Sequence, residues 1–298
     1  MFEKRVKSLN DKFITQDVQG VKTILYVMSR DQRVRDNYAL LYAQSLGKVA
    51  VMFNLYPLVA HRIYQQYEFM VEGLKEVQAE LEELNIPFIV TVGKAGENLD
   101  LIEQSLSPAA FVFDFSPLSG PRNLHTAFAK RSKVPVYEVD AHNVIPVWVA
   151  SDKEEYGAYT LRPKIYKQIK PWVIEPDYPS KQKELVDLSA LNSVNTSKNP
   201  IKKTSIVKKS DTNIANPGAQ NNKVFINLDS SSWEDIAQSI KAENIAGYNP
   251  EFKSGSNAGM SILRVFLEHK IEFYAEKRNN PALDFQSNLS PYLHFGQV

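Results

Sequence analysis

Residues 23–37 read TILYVMSRDQRVRDN, and the order of residue types in this stretch decides the fold. Residues 23–28 are rich in β-branched and aromatic side chains, which predicts a buried strand. Residues 29–37 form a charged turn with three Arg and two Asp, and YALLYAQ at 38–44 then begins a helix. A strand, a turn and a helix in this order form the first unit of a parallel α/β sheet.

The same alternation continues as far as residue 150. Further apolar runs predict strands at 49–55, 88–92, 110–114 and 136–139. Apolar residues from Val59 to Leu84 recur every three or four positions, which predicts a long amphipathic helix. We therefore predict an α/β fold, with a Rossmann-like parallel-sheet domain over residues 1–180 and helices on both faces of the sheet.

Residues 191–223 differ from the rest in composition. Asn, Ser, Thr and Lys fill 20 of these 33 positions, and no residue is aromatic. So little apolar surface cannot offset the entropy cost of ordering, so we predict a disordered linker or insertion over 181–228. The stretch 191–223 holds six Lys and one Asp, which leaves 29 basic and 33 acidic residues elsewhere. The rest of the chain is mildly acidic and lacks the basic balance typical of a nucleic-acid-binding domain.

Helical periodicity returns after this stretch. Apolar side chains at helical spacing predict a helix over 258–274, which the sequence NNP at 279–281 ends. A last helix is predicted from Leu289, with Ser290 as its N-cap and Pro291 at its first position. The chain stops after one or two turns of it, so Leu293, Phe295 and Val298 have no later residues to pack against. We interpret residues 229–298 as the truncated start of an all-α domain.

Several classes of protein and site are excluded or disfavoured. The chain has no cysteine, which excludes disulfides and thiolate metal sites and fits an intracellular protein, cytoplasmic or nuclear. No apolar run approaches the ~20 residues that span a bilayer, so no membrane partner is predicted. No dinucleotide, phosphate-loop or metalloprotease motif occurs, so we predict no catalytic and no metal-ligating residue. His142 and His294 sit among apolar residues, which favours structural, hydrogen-bonded histidines.

Three sets of motifs carry a family resemblance. They are MSRDQRVRDN at 28–37; DFSPLSGPR at 114–122 with VDAHNVIPVWVASDK at 139–153 and TLRPKI at 160–165; and SNLSPYLHFG at 287–296. Together they resemble the class II DNA photolyases, and the third set is similar to the flavin-binding signature shared by photolyases and cryptochromes.

Each motif set implies a role. The charged first set, at the carboxyl edge of a parallel sheet, can bind an anionic ligand or organise an interdomain surface. We expect the second set to be structural, with Arg162 and Lys164 as exceptions. The third set implies that Ser287, Asn288, Leu289 and Ser290 bind FAD, because hydroxyls and N–H groups at a helix start can hold a pyrophosphate.

Two further positions bear on the flavin site. Tyr274, thirteen residues before Ser287, matches a tyrosine that reaches a flavin phosphate in this family. Gln286 departs from the pattern, because many relatives have a hydroxyl residue there.

The resemblance implies a light-dependent DNA repair enzyme, a deoxyribodipyrimidine photo-lyase. Such enzymes split cyclobutane pyrimidine dimers in UV-damaged DNA with an electron from reduced FAD, and their α/β domain can hold an antenna chromophore, a deazaflavin or a folate. Most of the flavin pocket and the DNA groove lie after the third motif set in this family. We therefore expect the chain to be inactive without a C-terminal half, which a separate polypeptide could supply.

Two alternatives from other functional classes stay open. The chain could be a non-catalytic remnant, or an α/β module that binds a chromophore or a nucleotide. It could also be a light-sensing, cryptochrome-like binding protein.

Overall fold

The computed structural model describes residues 2–15, 22–56, 64–175, 177–192, 222–226, 228–240 and 252–298. Within these ranges, seven strands form one sheet: β1 (Val6–Ser8), β2 (Thr23–Met28), β3 (Lys48–Leu55), β4 (Phe88–Val92), β5 (Ala110–Asp114), β6 (Val136–Val139) and β7 (Lys223–Phe225).

The α-helices of the described residues lie on the sheet and beyond it. Those up to residue 192 are α1 (Tyr38–Leu46), α2 (Tyr64–Glu83), α3 (Ala95–Leu106), α4 (Ser119–Arg131), α5 (Val147–Ala150), α6 (Ala158–Gln168) and α7 (Ser189–Asn192). The later ones are α8 (Ser230–Ile240), α9 (Ser256–His269), α10 (Ile271–Lys277) and α11 (Ser290–Phe295). None of the described helices is both long and apolar enough to cross a membrane.

The strand order is β1-β6-β5-β2-β3-β4-β7, with five parallel strands in the middle and an antiparallel strand at each edge. The predicted α/β fold with a Rossmann-like parallel sheet is confirmed. β2 lies at the centre, with Ile24 opposite Val49 of β3 on one side and Ala110 of β5 on the other. The chain moves outward in both directions from β2, so the crevice at the carboxyl ends of β2 and β5 is the topological switch point.

The strands form where they do because the sheet is buried on both faces. All five residues of β4 and of β5 are buried, as parallel strands under two helical layers require. On one face, side chains of β2 such as Ile24 and Tyr26 pack with α1, α2 and α8. On the other face, Leu25 and Val27 pack with α3, α4 and α7.

The long amphipathic helix is confirmed as α2, although its first predicted residues, Val59 and Ile63, lie outside the described residues. Its predicted stripe is buried at Tyr67, Leu74, Val77, Leu81 and Leu84. The helix ends before Asn85, whose φ of 57° is the left-handed conformation that Asn tolerates at helix ends.

The prediction of a disordered linker over 181–228 is wrong for two described parts of it. In residues 181–192, Val186 and Leu191 are buried in the core beside α3 and α4. In residues 222–226, β7 pairs with β4 at the edge of the sheet. Isolated apolar side chains anchor both segments to the sheet, and all of them except Leu191 lie outside the 33 positions whose composition led to the prediction. The middle of the predicted linker, 193–221, lies outside the described residues.

The C-terminal residues 252–298 are helical, as predicted, but with a break. The helix predicted over 258–274 is divided into α9 and α10 at Lys270, whose ammonium group pairs with Asp284 at 2.7 Å. α9 buries Gly259 alone and α10 buries none of its seven described residues. Apolar side chains such as Val265 and Ile271 are therefore about half exposed.

Replacing Leu191 tests whether residues 181–192 belong to the α/β core. We expect Leu191→Ala to lower the free energy of unfolding by about 2–5 kcal/mol, because it leaves a cavity in the packed core. Leu185→Ala is the matched control, since Leu185 is 72% exposed, and should change stability by less than about 0.5 kcal/mol. Urea unfolding measures both, and equal small effects would contradict this assignment.

Candidate functional site

The carboxylate of Asp114 fixes the turn that follows β2. Asp114 is the last residue of β5, and Oδ2 accepts hydrogen bonds from the backbone N–H groups of Ser29 (2.7 Å), Arg30 (2.9 Å) and Asp31 (3.3 Å). Its Oδ1 accepts from the Tyr26 hydroxyl at 2.7 Å. The fully buried carboxylate therefore occupies the switch-point crevice, where open α/β sheets usually bind ligands.

Asn37 closes the turn from the other end. Its side-chain amide donates to the Tyr26 hydroxyl at 3.0 Å and to the Arg33 carbonyl at 2.9 Å. Its side-chain oxygen accepts from the Leu40 N–H at 2.9 Å and so caps α1. Strand β2, the turn and helix α1 are thereby joined in one hydrogen-bonded network.

Burial and the nearby charge of Asp31 raise the pKa of Asp114 to about 6, against the opposing effect of its hydrogen bonds from Ser29 and Tyr26. Asp31 behaves differently. Burial alone would raise its pKa, but pairing with His142 and Arg33 outweighs burial, and the pKa lies below its usual value. The same crevice thus holds one carboxyl group that resists ionisation and one that favours it.

The centre of the charged turn, residues 31–34, is buried, whereas Arg35 and Asp36 are exposed. Asp31 is fully buried, Gln32 and Arg33 are nearly so, and an Arg33 Nη1 to Asp31 Oδ1 distance of 2.8 Å joins the two charges. His142 Nδ1 lies 3.6 Å from Asp31 Oδ2, and its ring stacks on Phe115. The sequence predicted a structural histidine at 142 but gave no sign of its acidic partner.

The turn contacts the end of α11. Arg33 Nη1 donates to the Gly296 carbonyl at 2.9 Å, and the Gln32 N–H donates to the Phe295 carbonyl at 3.3 Å. Gly296 has a φ of +64°, and a Cβ there would lie 1.9 Å from the Arg30 carbonyl oxygen. Of the two roles predicted for the charged turn, the structure supports the interdomain surface.

Helix α11 also packs on α2. The buried Tyr292 meets Phe69 edge to face at 5.4 Å, and the Phe295 ring lies 5.6 Å from the same Phe69 ring. Gln297 approaches so closely that a Cβ on Gly73 would lie 2.1 Å from its Nε2.

The last apolar residues therefore have partners earlier in the chain. Phe295 packs on Phe69 of α2, and Val298 lies against Gly259 of α9. Leu293 is the exception, since it is 59% exposed.

The predicted flavin residues surround the start of α11. Ser287 and Asn288 are half-buried, Leu289 is buried and Ser290 is exposed. Contrary to the prediction, Ser290 is the first helical residue and not the N-cap. Leu289 occupies the cap position and cannot cap with its apolar side chain. The first N–H groups of α11 thus receive no side-chain cap from the N-cap residue, which leaves donors for another acceptor.

Tyr274 lies in α10, and the segment before Ser287 contacts the end of this helix. The Tyr274 ring meets Phe266 edge to face at 5.2 Å, and the Arg278 guanidinium lies 5.4 Å from its centroid. Gln286 donates to the Arg278 carbonyl and so ties the segment before Ser287 to the end of α10.

The donor set of this unit fits a phosphate. Residues 274–290 carry the hydroxyls of Tyr274, Ser287 and Ser290 and the cationic side chains of Lys277 and Arg278, and the Arg278 guanidinium lies over the Tyr274 ring. Among the contacts described for residues 284–290, the one carboxylate is that of Asp284. It bonds the Asn288 side chain, and the hydrogen bond and charge of Lys270 lower its pKa. The negative charge nearest this loop is therefore paired with the ammonium group of Lys270.

Comparison with known proteins gives the family. The family model for DNA photolyase matches residues 24–179, a little over half of the chain. The chain belongs to the DNA photolyase family. The matched residues include β2, the charged turn and Asp114.

Two curated relatives are similar over nearly the whole of this photolyase-family chain. The deoxyribodipyrimidine photo-lyase of Potorous tridactylus is 32% identical over 99% of the chain and 49% of its own length. That of Arabidopsis thaliana is 33% identical over 94% of the chain and 52% of its own length. The chain thus spans about half the length of these relatives.

Two solved structures share the fold. A bacterial class III photolyase from Agrobacterium tumefaciens aligns with a TM-score of 0.60 at 15% identity, over 95% of this chain and 53% of that one. An archaeal photolyase from Sulfolobus tokodaii, described with two FAD molecules, aligns with a TM-score of 0.60 at 16% identity, over 93% and 52%.

The basic residues of the TLRPKI block have different surroundings in this photolyase-family chain. Lys164 lies 2.5 Å from Glu155 and 3.0 Å from the Ser151 hydroxyl, so it ties α6 to the preceding loop. Arg162 is exposed. Sequence reasoning missed a buried pair, His125 and Glu138, which are 3.0 Å apart under α4.

The raised pKa of Asp114 predicts a pH-dependent stability. The folded protein holds this proton more tightly than the unfolded chain, whose Asp titrates near 3.8, so stability falls as pH rises from about 4 to about 6. The loss is on the order of 3 kcal/mol.

Urea unfolding of the wild type and of Asp114→Asn measures this effect between pH 4 and 7. The stability of the wild type relative to Asp114→Asn should fall across this window. Asp100→Asn, at the exposed partner of Arg131, is the control and should show no such trend. A constant difference between the wild type and Asp114→Asn would contradict the assignment.

Proposed function

We propose that this chain forms the α/β domain and the first edge of the FAD site of a class II photolyase, which splits cyclobutane pyrimidine dimers in light. One observation carries the proposal: the flavin-type motif at 287–296 forms hydrogen bonds with the motif at 28–37, which contains the charged turn. Two separate family motifs, more than 250 residues apart, thus form one contact.

In this proposal the FAD phosphates lie at the loop of Ser287–Ser290, whose N–H groups and hydroxyls donate to them. The Tyr274 hydroxyl and the nearby Arg278 complete the phosphate side. When bound and reduced, FAD supplies the electron that splits the dimer under light, and the protein supplies its orientation and surroundings.

UV-damaged DNA is the proposed substrate, with the lesion flipped out of the duplex. The chain outside residues 191–223 is mildly acidic. We therefore place the DNA-binding surface in the part of the relatives that this chain does not span. We also propose an antenna chromophore, a deazaflavin or a folate, and this proposal rests on the family resemblance alone.

The second candidate is an α/β module that binds a nucleotide or a chromophore. The contacts at the switch-point crevice argue against a phosphate-binding site in that crevice. The three backbone N–H groups at that crevice, of Ser29, Arg30 and Asp31, already donate to Asp114. An internal carboxylate thus takes the place that a phosphate occupies in nucleotide-binding sheets.

A reconstitution experiment separates repair from a non-catalytic remnant. The partner for reconstitution is a polypeptide that carries the half of these relatives that the chain does not span. The chain alone should retain no FAD on a desalting column, because Ser290 is exposed and Tyr274 is only partly buried. The two together should give a yellow protein that repairs thymine dimers only in light. A colourless mixture without light-dependent repair contradicts the proposal and favours the remnant.

Hydroxyl removal tests the FAD site itself. In the reconstituted protein, Ser287→Ala with Ser290→Ala should weaken FAD binding about tenfold or more, because hydrogen bonds to a charged group are lost. Ser261→Ala is the matched control, since its hydroxyl donates to the Asn257 carbonyl within α9. Equal FAD affinity in the double variant and the control would contradict the proposed residues.

A further inference from the structure

Arg33 connects two structural units at once. Its Nη1 donates to Asp31 Oδ1 at 2.8 Å and to the Gly296 carbonyl at 2.9 Å, and its Nη2 donates to the Asp36 carbonyl at 3.0 Å. The residue is 8% exposed. Two of these acceptors belong to the turn after β2, and the third belongs to the end of α11, 263 residues away in the sequence.

The guanidinium group is what makes this bridge. Its planar fork directs two nitrogens at three acceptors in different directions, whereas a Lys side chain offers a single nitrogen. Lysine at this position can keep the charge that Asp31 requires, but it loses part of the fork. Nη1 donates to both Asp31 and Gly296, and the shorter lysine side chain does not place its nitrogen where Nη1 lies. We therefore expect a lysine to keep a positive charge beside Asp31 and to weaken the hydrogen bond to Gly296.

The end of α11 packs closely against the turn. A Cβ on Gly296 would lie 1.9 Å from the Arg30 carbonyl oxygen, so the backbone of α11 touches the backbone of the turn. The Gln32 N–H adds a bond to the Phe295 carbonyl at 3.3 Å. Because α11 has only six residues, fixing its last residues also fixes where the preceding loop of Ser287–Ser290 lies.

We propose that Arg33 is a positioning residue: by joining Asp31 to the Gly296 carbonyl it sets the place of α11, and through α11 the place of the Ser287–Ser290 loop. The identity of the ligand at that loop rests on the proposed function, but the positioning of α11 does not. Arg33 does not contact the ligand itself and acts through α11.

Hydrogen exchange tests the positioning without any ligand. In the 298-residue chain, Arg33→Lys should raise the exchange rate of the Leu293 and Gln297 amides about tenfold, the factor of one charge-assisted hydrogen bond. Amides of β2 and β5 should keep their wild-type rates. The control is Arg131→Lys, because Arg131 pairs with Asp100 at 2.8 Å on the surface, and it should change neither set.

Two outcomes of that experiment overturn the proposal. One is an Arg33→Lys variant that exchanges like Arg131→Lys. The other is an equal rise in α11, β2 and β5, which would make Arg33 a general stabilising residue. Arg33→Met adds a second test: it removes the charge as well, so β2 and the turn should lose protection in addition to α11.

FAD affinity supplies the functional readout in the reconstituted protein. Arg33→Lys should weaken FAD binding about tenfold while the repair yield per bound FAD and the melting temperature stay at wild-type values. Unchanged FAD affinity together with faster α11 exchange overturns the link from α11 to the loop. If the wild type binds no FAD and the exchange result holds, the proposed function fails and the positioning of α11 by Arg33 stands.

Discussion

The structure depends on the carboxylate of Asp114, which collects the N–H groups of Ser29, Arg30 and Asp31 at the switch point of the sheet. A chain leaving a buried parallel strand has free N–H groups that need an acceptor. In nucleotide-binding sheets a phosphate can meet that need. Here the side-chain carboxylate of Asp114, the last residue of β5, is the acceptor, so the turn adopts its conformation without a ligand.

That fixed turn presents Asp31, Gln32 and Arg33 toward the C-terminal helices. A buried ion pair contributes little net stability, because desolvation offsets most of the attraction between the charges. It does make wrong arrangements costly, since a misplaced α11 leaves the buried Arg33 with one acceptor fewer. The contact therefore selects a position for α11 more than it strengthens the fold.

The sequence predicts the five central strands because each is mostly apolar and is buried along nearly its whole length. It does not predict β1 and β7, which have three residues each, mix polar with apolar side chains and depend on pairing with a neighbour at the edge. The break at Lys270 was also missed, because it involves Asp284, fourteen residues later.

At the site, the family motifs indicated which residues matter but not how they meet. An aspartate that ends the otherwise apolar run AFVFD was a usable sign of a buried acceptor at Asp114. The pairing of Arg33 with Gly296, and of Asp31 with His142, joins residues far apart in sequence. No local pattern encodes such contacts, and they emerge only once the sheet places both ends together.

The chain has no cysteine, so a disulfide between two introduced cysteines tests the central contact directly. The Gln32 backbone nitrogen and the Phe295 carbonyl oxygen are 3.3 Å apart, so covalent geometry keeps the two Cα atoms within about 7 Å of each other, the outer limit for a disulfide. Under mild oxidation, Gln32→Cys with Phe295→Cys should form one intramolecular disulfide, detected as a cross-linked peptide by mass spectrometry. A folded double variant whose two thiols stay reduced and freely alkylated would contradict the docking of α11 on the turn after β2.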